Sequence, residues 1–171
     1  MTRLHFFHRL RVASVTTEIR IQTADFSVAT EWDDLRARCD GNTGAVASFV
    51  GLVRDRDADS QVTGLYLEHY PGMTEDSIAT IITEAETRWA LQDIVVVHRV
   101  GLLEPGDQVV FVQVAAGHRG DAFAACEFVM DFLKTDAVLW KREDSGKEQR
   151  WLEASGDDRS RVDHWRTGDD P

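Results

Sequence analysis

A chain of 171 residues, 43% hydrophobic and 29% charged, has the size and composition of one domain able to bury a core. Its formal net charge of -11 sets the molecule's field against general binding to nucleic acid or to anionic membranes. The two cysteines, Cys39 and Cys126, stand far apart and outside any C-x-x-C pairing, so neither a disulfide framework nor a thiolate zinc site is encoded; with no apolar run near the ~20 residues of a membrane span, a cytoplasmic protein is expected.

Residues 1–17 carry Arg3, Arg9, Arg11, His5 and His8 and no acid before Glu18, and read as a basic extension outside the domain. The alternation of Ile19 and Ile21 with polar neighbours predicts a strand over Thr17 to Gln22. Ser27 is placed to cap a helix reaching Cys39, which Asp40-Gly41-Asn42 ends. Gly44 to Val53 and Val62 to Tyr70 are β-prone runs, and the polar stretch Asp55 to Gln61 between them reads as a long hairpin connection. Ile78, Ile81, Ile82 and Ala85 recur at helical spacing from Thr74 to Trp89.

A strand is expected over Ile94 to Val100, a turn at Leu103 to Asp107, and a strand from Asp107 to Ala115. A helix from Asp121 to Lys134 places Ala122, Cys126, Val129, Met130 and Leu133 on one face. Ala137 to Lys141 and Arg150 to Glu153 read as two short strands around an Asp144-Ser145-Gly146 turn. Residues 155–171, rich in Gly, Asp and Arg, read as a loosely held acidic tail, which leaves 18–154 as the domain. Because the β-α-β rhythm of a doubly wound sheet is missing, the fold class expected is α+β with mixed, largely antiparallel sheets.

Cations stand out in so acidic a chain, which holds only three lysines, Lys134, Lys141 and Lys147. Lys134 ends an apolar helix and Lys141 sits in the strand after it, places where a side chain leaves a rigid scaffold. Read locally, Lys134 only compensates a helix dipole and Lys141 is a solvated strand residue. His118 and Arg119 lie between a strand and a helix N-terminus, where backbone N–H groups favour an anion, although a lone histidine is more often structural. Arg54 comes after the Gly44 to Val53 strand in a charged loop, where local sequence favours a plain surface residue. Trp89, Trp140, Phe49 and Met130 are expected in the core, and His69 and His98 in structural hydrogen bonds.

Leu67-Glu68-His69-Tyr70-Pro71-Gly72-Met73, His98-Arg99-Val100-Gly101, Pro105-Gly106-Asp107, His118-Arg119, and Phe132-Leu133-Lys134 through Trp140-Lys141-Arg142-Glu143 together resemble the molybdopterin synthase large subunit. Several motifs in order and at matching spacing are far more specific than one short pattern, and they tip the cations towards function. The resemblance implies a hammerhead-like α+β single domain, a homodimer within a heterotetramer, and a small ubiquitin-like sulfur carrier ending in a Gly-Gly thiocarboxylate. It also implies sulfur transfer to cyclic pyranopterin monophosphate, making the dithiolene of molybdopterin, with no cofactor and no metal of the enzyme's own.

By motif, Lys134 and Lys141 match the catalytic lysines. Leu52, Val53 and Arg54, then His118 and Arg119, then Lys141, Arg142 and Glu143 match three substrate-binding segments, some reaching the substrate from a neighbouring protomer. Lysine suits proton transfer or oxyanion stabilisation, with burial and nearby arginines able to depress Lys134, and arginine suits phosphate. Ser155 stands where family members can carry arginine, with Arg150 or Arg159 as possible substitutes. The sequence ends in Asp169-Asp170-Pro171, not Gly-Gly, so the sulfur donor is expected in trans. The rival readings are a catalytically silent module binding the pterin phosphate or the carrier, and an unrelated scaffold with the same fold.

Overall fold

The computed structural model describes residues 15–57, 60–61, 63–144 and 149–167. Most of the basic extension, residues 1–14, lies outside them. The chain runs β1 (Thr16–Gln22), α1 (Val28–Arg38), β2 (Ala45–Leu52), β3 (Arg56–Asp57), β4 (Ser60–Gln61), β5 (Gly64–His69) and α2 (Met73–Arg88). It continues through β6 (Leu91–Arg99), β7 (Gly101–Leu103), β8 (Gln108–Ala116), α3 (Arg119–Thr135), β9 (Leu139–Asp144), β10 (Gln149–Leu152) and α4 (Gly156–Thr167).

The main sheet has the order β1-β6-β8-β2, with β1 parallel to β6 and the other pairings antiparallel. Its central strands are covered on both faces, which is why β6 and β8 are nearly continuous runs of valine. Ile94, Val96, Val110, Val112 and Val114 turn towards α2 and α3, while Val95, Val97 and Phe111 turn towards Phe26 and Leu35 of the α1 side. The α1 helix starts where Ser27 Oγ accepts from Thr30 N, as the sequence indicates.

A second, antiparallel sheet has the order β10-β9-β5-β7. Val53, Leu67, Val100 and Leu103 form a small core where it leans on the first. The expected mixed, largely antiparallel α+β architecture is therefore present. One connection differs: β2 and β5 do not form a hairpin. β2 pairs with β8 in the main sheet and β5 with β7 and β9 in the second, so the chain changes sheets between them, and the described residues of that connection include the small β3-β4 pair. Apolar β2 gains more from burial beside α3 than pairing with its neighbour in sequence would supply.

The segment expected to be a loose tail is, over 156–167, helix α4, packed on α3. Val162 and Trp165 are buried in the main core, and the Trp165 indole N–H donates to Asp131 at 2.8 Å. Two apolar residues suffice because they share one helix face and their neighbours form ion pairs: Arg161 bonds both Asp131 and Glu127. Phe128 of α3, fully buried, meets Trp89 and Trp165 edge-on at 5.4 and 5.5 Å and Phe132 at 4.4 Å. Met130 and Trp89 belong to this core as expected, but Trp140 and Phe49 do not, being 53% and 40% exposed. Trp140, on β9 of the second sheet, packs edge-on against Trp151 of β10 at 6.0 Å.

Candidate active site

A cavity of about 1660 Å³ opens between the end of β2, the C-terminal half of α3, the second sheet and the first turn of α4. Its size exceeds the ~300–1,000 Å³ common for small-molecule sites and leaves room for a second reactant. Each wall has a local cause. At the end of β2 the register skips Val109 of β8 beside Gly51, and a bulge of this kind bends a strand and re-aims the residues beyond it. Gly51 is needed there, since a Cβ would stand 2.7 Å from Val110 Cγ1. Leu52, Val53 and Arg54 then line the cavity, the turn at Gly106, with φ at +92°, holding Val53 by an N–H to its carbonyl at 2.8 Å.

Lys134 occupies the last turn of α3, and Lys141 is the third residue of β9. The link between them is tied to α2. The Thr74 hydroxyl, fully buried, donates to the Val138 carbonyl at 2.7 Å, and Val138 N donates to Ser77 Oγ at 3.2 Å. Strand alternation then decides which neighbours of Lys141 join it. Lys141 and Glu143 line the cavity, with Arg150 of β10 at 3.9 Å from Glu143. Arg142 turns to the other face, where its guanidinium stacks over Tyr66 at 4.9 Å and Trp151 at 5.7 Å.

The two lysines have different surroundings. Lys134 is half exposed and donates to Asp158 Oδ1 of α4 at 3.2 Å. Lys141 is enclosed, and burial pushes its ammonium below the usual lysine range, opposed by the Asp158 charge and reinforced by that of Lys134. Burial expected to act on Lys134 thus falls on Lys141, because β9 runs beneath the cavity while Lys134 leaves a helix end at its mouth.

His98, buried in β6, also reaches this cavity and makes the structural hydrogen bond expected of it, its Nδ1 2.8 Å from the Arg99 carbonyl. That bond places the proton on Nδ1. Burial pushes the imidazole down to about 4, the Arg99 carbonyl opposing and the Lys141 charge adding to the depression. In the unfolded chain the same group takes up a proton from near 6.5, so its contribution to stability is complete above that pH and lost as pH falls towards 4. At about 1.4 kcal/mol per unit this amounts to at most about 3 kcal/mol. Imidazole nitrogen shifts should report a neutral, Nδ1-protonated His98 at pH 5.5; a protonated ring there would contradict this account.

His118 and Arg119 are not in this cavity. His118 is the N-cap of α3 and Arg119 its first residue, a strand-to-helix junction as expected, but Lys134 is fifteen residues further along one straight helix. At 1.5 Å per residue the two ends lie about 22 Å apart. One chain thus gathers Lys134, Lys141, Arg54, Leu52, Val53 and Glu143, and leaves His118, Arg119 and Arg142 elsewhere. Ser155 caps α4, and Arg159 bonds the Ala154 carbonyl at 2.7 Å, so of the two possible substitute arginines only Arg150 lines the cavity. Sequence reasoning does not single out Asp158, Asp131 or Arg161. The signal available for them is Ser155-x-x-Asp158, a helix-start pattern with Val162 and Trp165 three apart after it.

Among the described residues no helix is long and apolar enough to cross a membrane, and no group of three or more potential metal ligands occurs.

The model of the family described as MoaE protein matches residues 21–136. A molybdopterin synthase catalytic subunit from Ralstonia nicotianae is 51% identical over 147 residues, covering 86% of this chain and 83% of that protein. The solved structure of a molybdopterin biosynthesis MoaE protein from Burkholderia ambifaria superposes with a TM-score of 0.74 at 50% identity, over 88% of this chain and 98% of that one. The fold alone is shared with a protein-protein complex of subunits 1 and 2 of molybdopterin-converting factor from Helicobacter pylori, at 19% identity and a TM-score of 0.62, over 80% of this chain and 89% of that one.

Proposed function

The chain belongs to the MoaE protein family, and from that membership we propose that it is the catalytic subunit of a molybdopterin synthase, acting in molybdenum cofactor biosynthesis in complex with a small subunit. The reaction is sulfur transfer from the thiocarboxylated C-terminus of that small carrier to cyclic pyranopterin monophosphate. The observation that carries this reading is the convergence of Lys134, Lys141 and Arg54 on one large cavity in a chain of net charge -11.

The chemistry asks for such a set. In each transfer the thiocarboxylate sulfur attacks a side-chain carbon of the pterin and takes the place of the oxygen bound there, whose C–O bond breaks, the oxygen leaving as the freed end of the cyclic phosphate at one carbon and as water at the other. Water then adds to the carrier carbonyl, the acyl C–S bond breaks, sulfur remains on the pterin and the carrier leaves as a carboxylate. Two transfers give the dithiolene. Lys134, at the mouth and charged against Asp158, is suited to stabilise the oxyanion that develops on the carrier carbonyl. Lys141, enclosed and more easily deprotonated than a free lysine, is suited to move a proton between water and the leaving sulfur. Arg54 offers its planar fork to the phosphate.

His118, Arg119 and Arg142 complete the substrate site from a second copy of the chain, so the working assembly is a homodimer carrying two small subunits. A helix N-terminus with His118 as N-cap and an arginine beside it suits an anion. The working unit comprises 18–154 together with α4, whose first turn lines the cavity.

Reconstitution tests the whole reading. Purified chain, thiocarboxylated carrier and precursor should yield dithiolene product, and chain plus precursor without carrier should yield none. Product without carrier would refute the transfer in trans. Binding of precursor with no product in the complete mixture would favour a silent binding module instead.

A further inference from the structure

Resting on that reading, we propose that Asp158 is a positioning residue for the transfer site: its carboxylate, fixed to Ser155 on the first turn of α4, holds the Lys134 ammonium over the cavity and sets the charge that the two lysines share.

The geometry is reciprocal. Asp158 N donates to Ser155 Oγ at 3.1 Å, while Ser155 N and Ser155 Oγ donate to Asp158 Oδ2 at 3.2 and 2.7 Å. This is a capping box with aspartate in the third helical position. One carboxylate oxygen is thereby committed to the helix end, and the other, Oδ1, is left to accept from Lys134 Nζ at 3.2 Å. A four-carbon lysine side chain on the last turn of a helix has many rotamers, and a carboxylate that cannot itself rotate selects among them. Burial works against the Asp158 charge, yet the hydrogen bonds from Ser155 and Lys134 hold its carboxyl below the usual range.

The same charge reaches Lys141. Lys134 opposes a second positive charge on Lys141 and Asp158 favours it, so the anion offsets the repulsion between the two cations. Other charged groups around the cavity are paired among themselves. Arg161 of α4 bonds Glu127 and Asp131 of α3, and Arg150 of β10 faces Glu143 of β9. His98 of β6 is neutral at working pH, and Arg54 and Asp157 complete the wall. Among the described residues Asp158 is the carboxylate that bonds a motif lysine.

The consequence is a shift of definite sign. Asp158→Asn retains an acceptor for the capping box and removes the charge, so Lys141 should deprotonate at lower pH. With only three lysines, a full chain labelled with lysine carrying ¹³C at the ε carbon gives a resolvable titration of Lys141 that needs no substrate. The Lys141 midpoint should fall in Asp158→Asn and stay at the wild-type value in Ser155→Ala, which loosens the carboxylate but keeps its charge. In the reconstituted reaction Asp158→Asn should lower kcat about tenfold with the carrier KM unchanged, less than the roughly 10²–10³-fold cost of deleting a preorganised donor itself, because Lys134 stays in place. The limb of the pH–rate profile that tracks Lys141 should move to lower pH with it.

An unmoved Lys141 midpoint in Asp158→Asn, or equal movements in both variants, would overturn the proposal. If the wild-type mixture makes no product, the functional reading falls, while the titration still decides the role of Asp158.

Discussion

Lys134→Ala should lower dithiolene formation on the order of 10³-fold while leaving affinity for the carrier within about twofold, because it removes one preorganised cation and exposes an anion in its place. In the intact site Lys134 sits 3.2 Å from Asp158 at the cavity mouth. Truncation takes away the ammonium that would meet the developing oxyanion, and it also leaves the Asp158 carboxylate facing two negatively charged reactants. The carrier would still dock through its folded surface and its threaded tail, neither of which depends on one side chain. Single-turnover transfer, measured with preformed thiocarboxylate, separates chemistry from binding. Near-normal single-turnover rates in this variant would remove Lys134 from the mechanism.

Phe128→Ala should cost about 3–5 kcal/mol of folding stability, the range for deleting a fully buried aromatic ring that its neighbours cannot refill. Phe128 is the contact point of Trp89, Phe132 and Trp165, and Arg88 lies over its ring at 4.7 Å, so the end of α2 and helix α4 lose their common partner on α3 at once. For a domain of this size each kcal/mol corresponds to roughly 2–4 °C, so a fall in Tm of about 10 °C is expected. Urea unfolding with an unchanged m-value checks it, and a loss under 1 kcal/mol would show that the cluster repacks freely.

Much of this arrangement is legible in the residues themselves. The Ser27 cap, the valine runs of β6 and β8, and the apolar face of α3 come from periodicity that the main sheet and its covering helices satisfy directly. The β2–β5 relation is not legible, because neighbours in sequence pair by default and only the competing attraction of the α3 face for β2 separates them. The α4 helix is hidden by composition: Val162 and Trp165 are its only buried residues, and Asp131, thirty-four positions before Trp165, supplies the partner that makes their burial worthwhile.

In the site, residue types and spacing suggest cations near an anion but not their faces. That Lys141 enters the cavity and Arg142 stacks on Tyr66 and Trp151 is a result of two-residue alternation once β9 is known to be a strand. That Arg119 and Lys134 lie about 22 Å apart is a result of the uninterrupted run of α3, which the turns of sequence around both residues do not reveal.

This helix also imposes a rule on how the chain can change. Removing one residue anywhere between Arg119 and Lys134 would turn one end about 100° against the other and shorten the span by about 1.5 Å, so the His118-Arg119 cap and Lys134 would lose their common phase. Side chains along α3 can drift within the limits of packing, whereas on the proposed reading its number of residues is held by the groups at both of its ends at once.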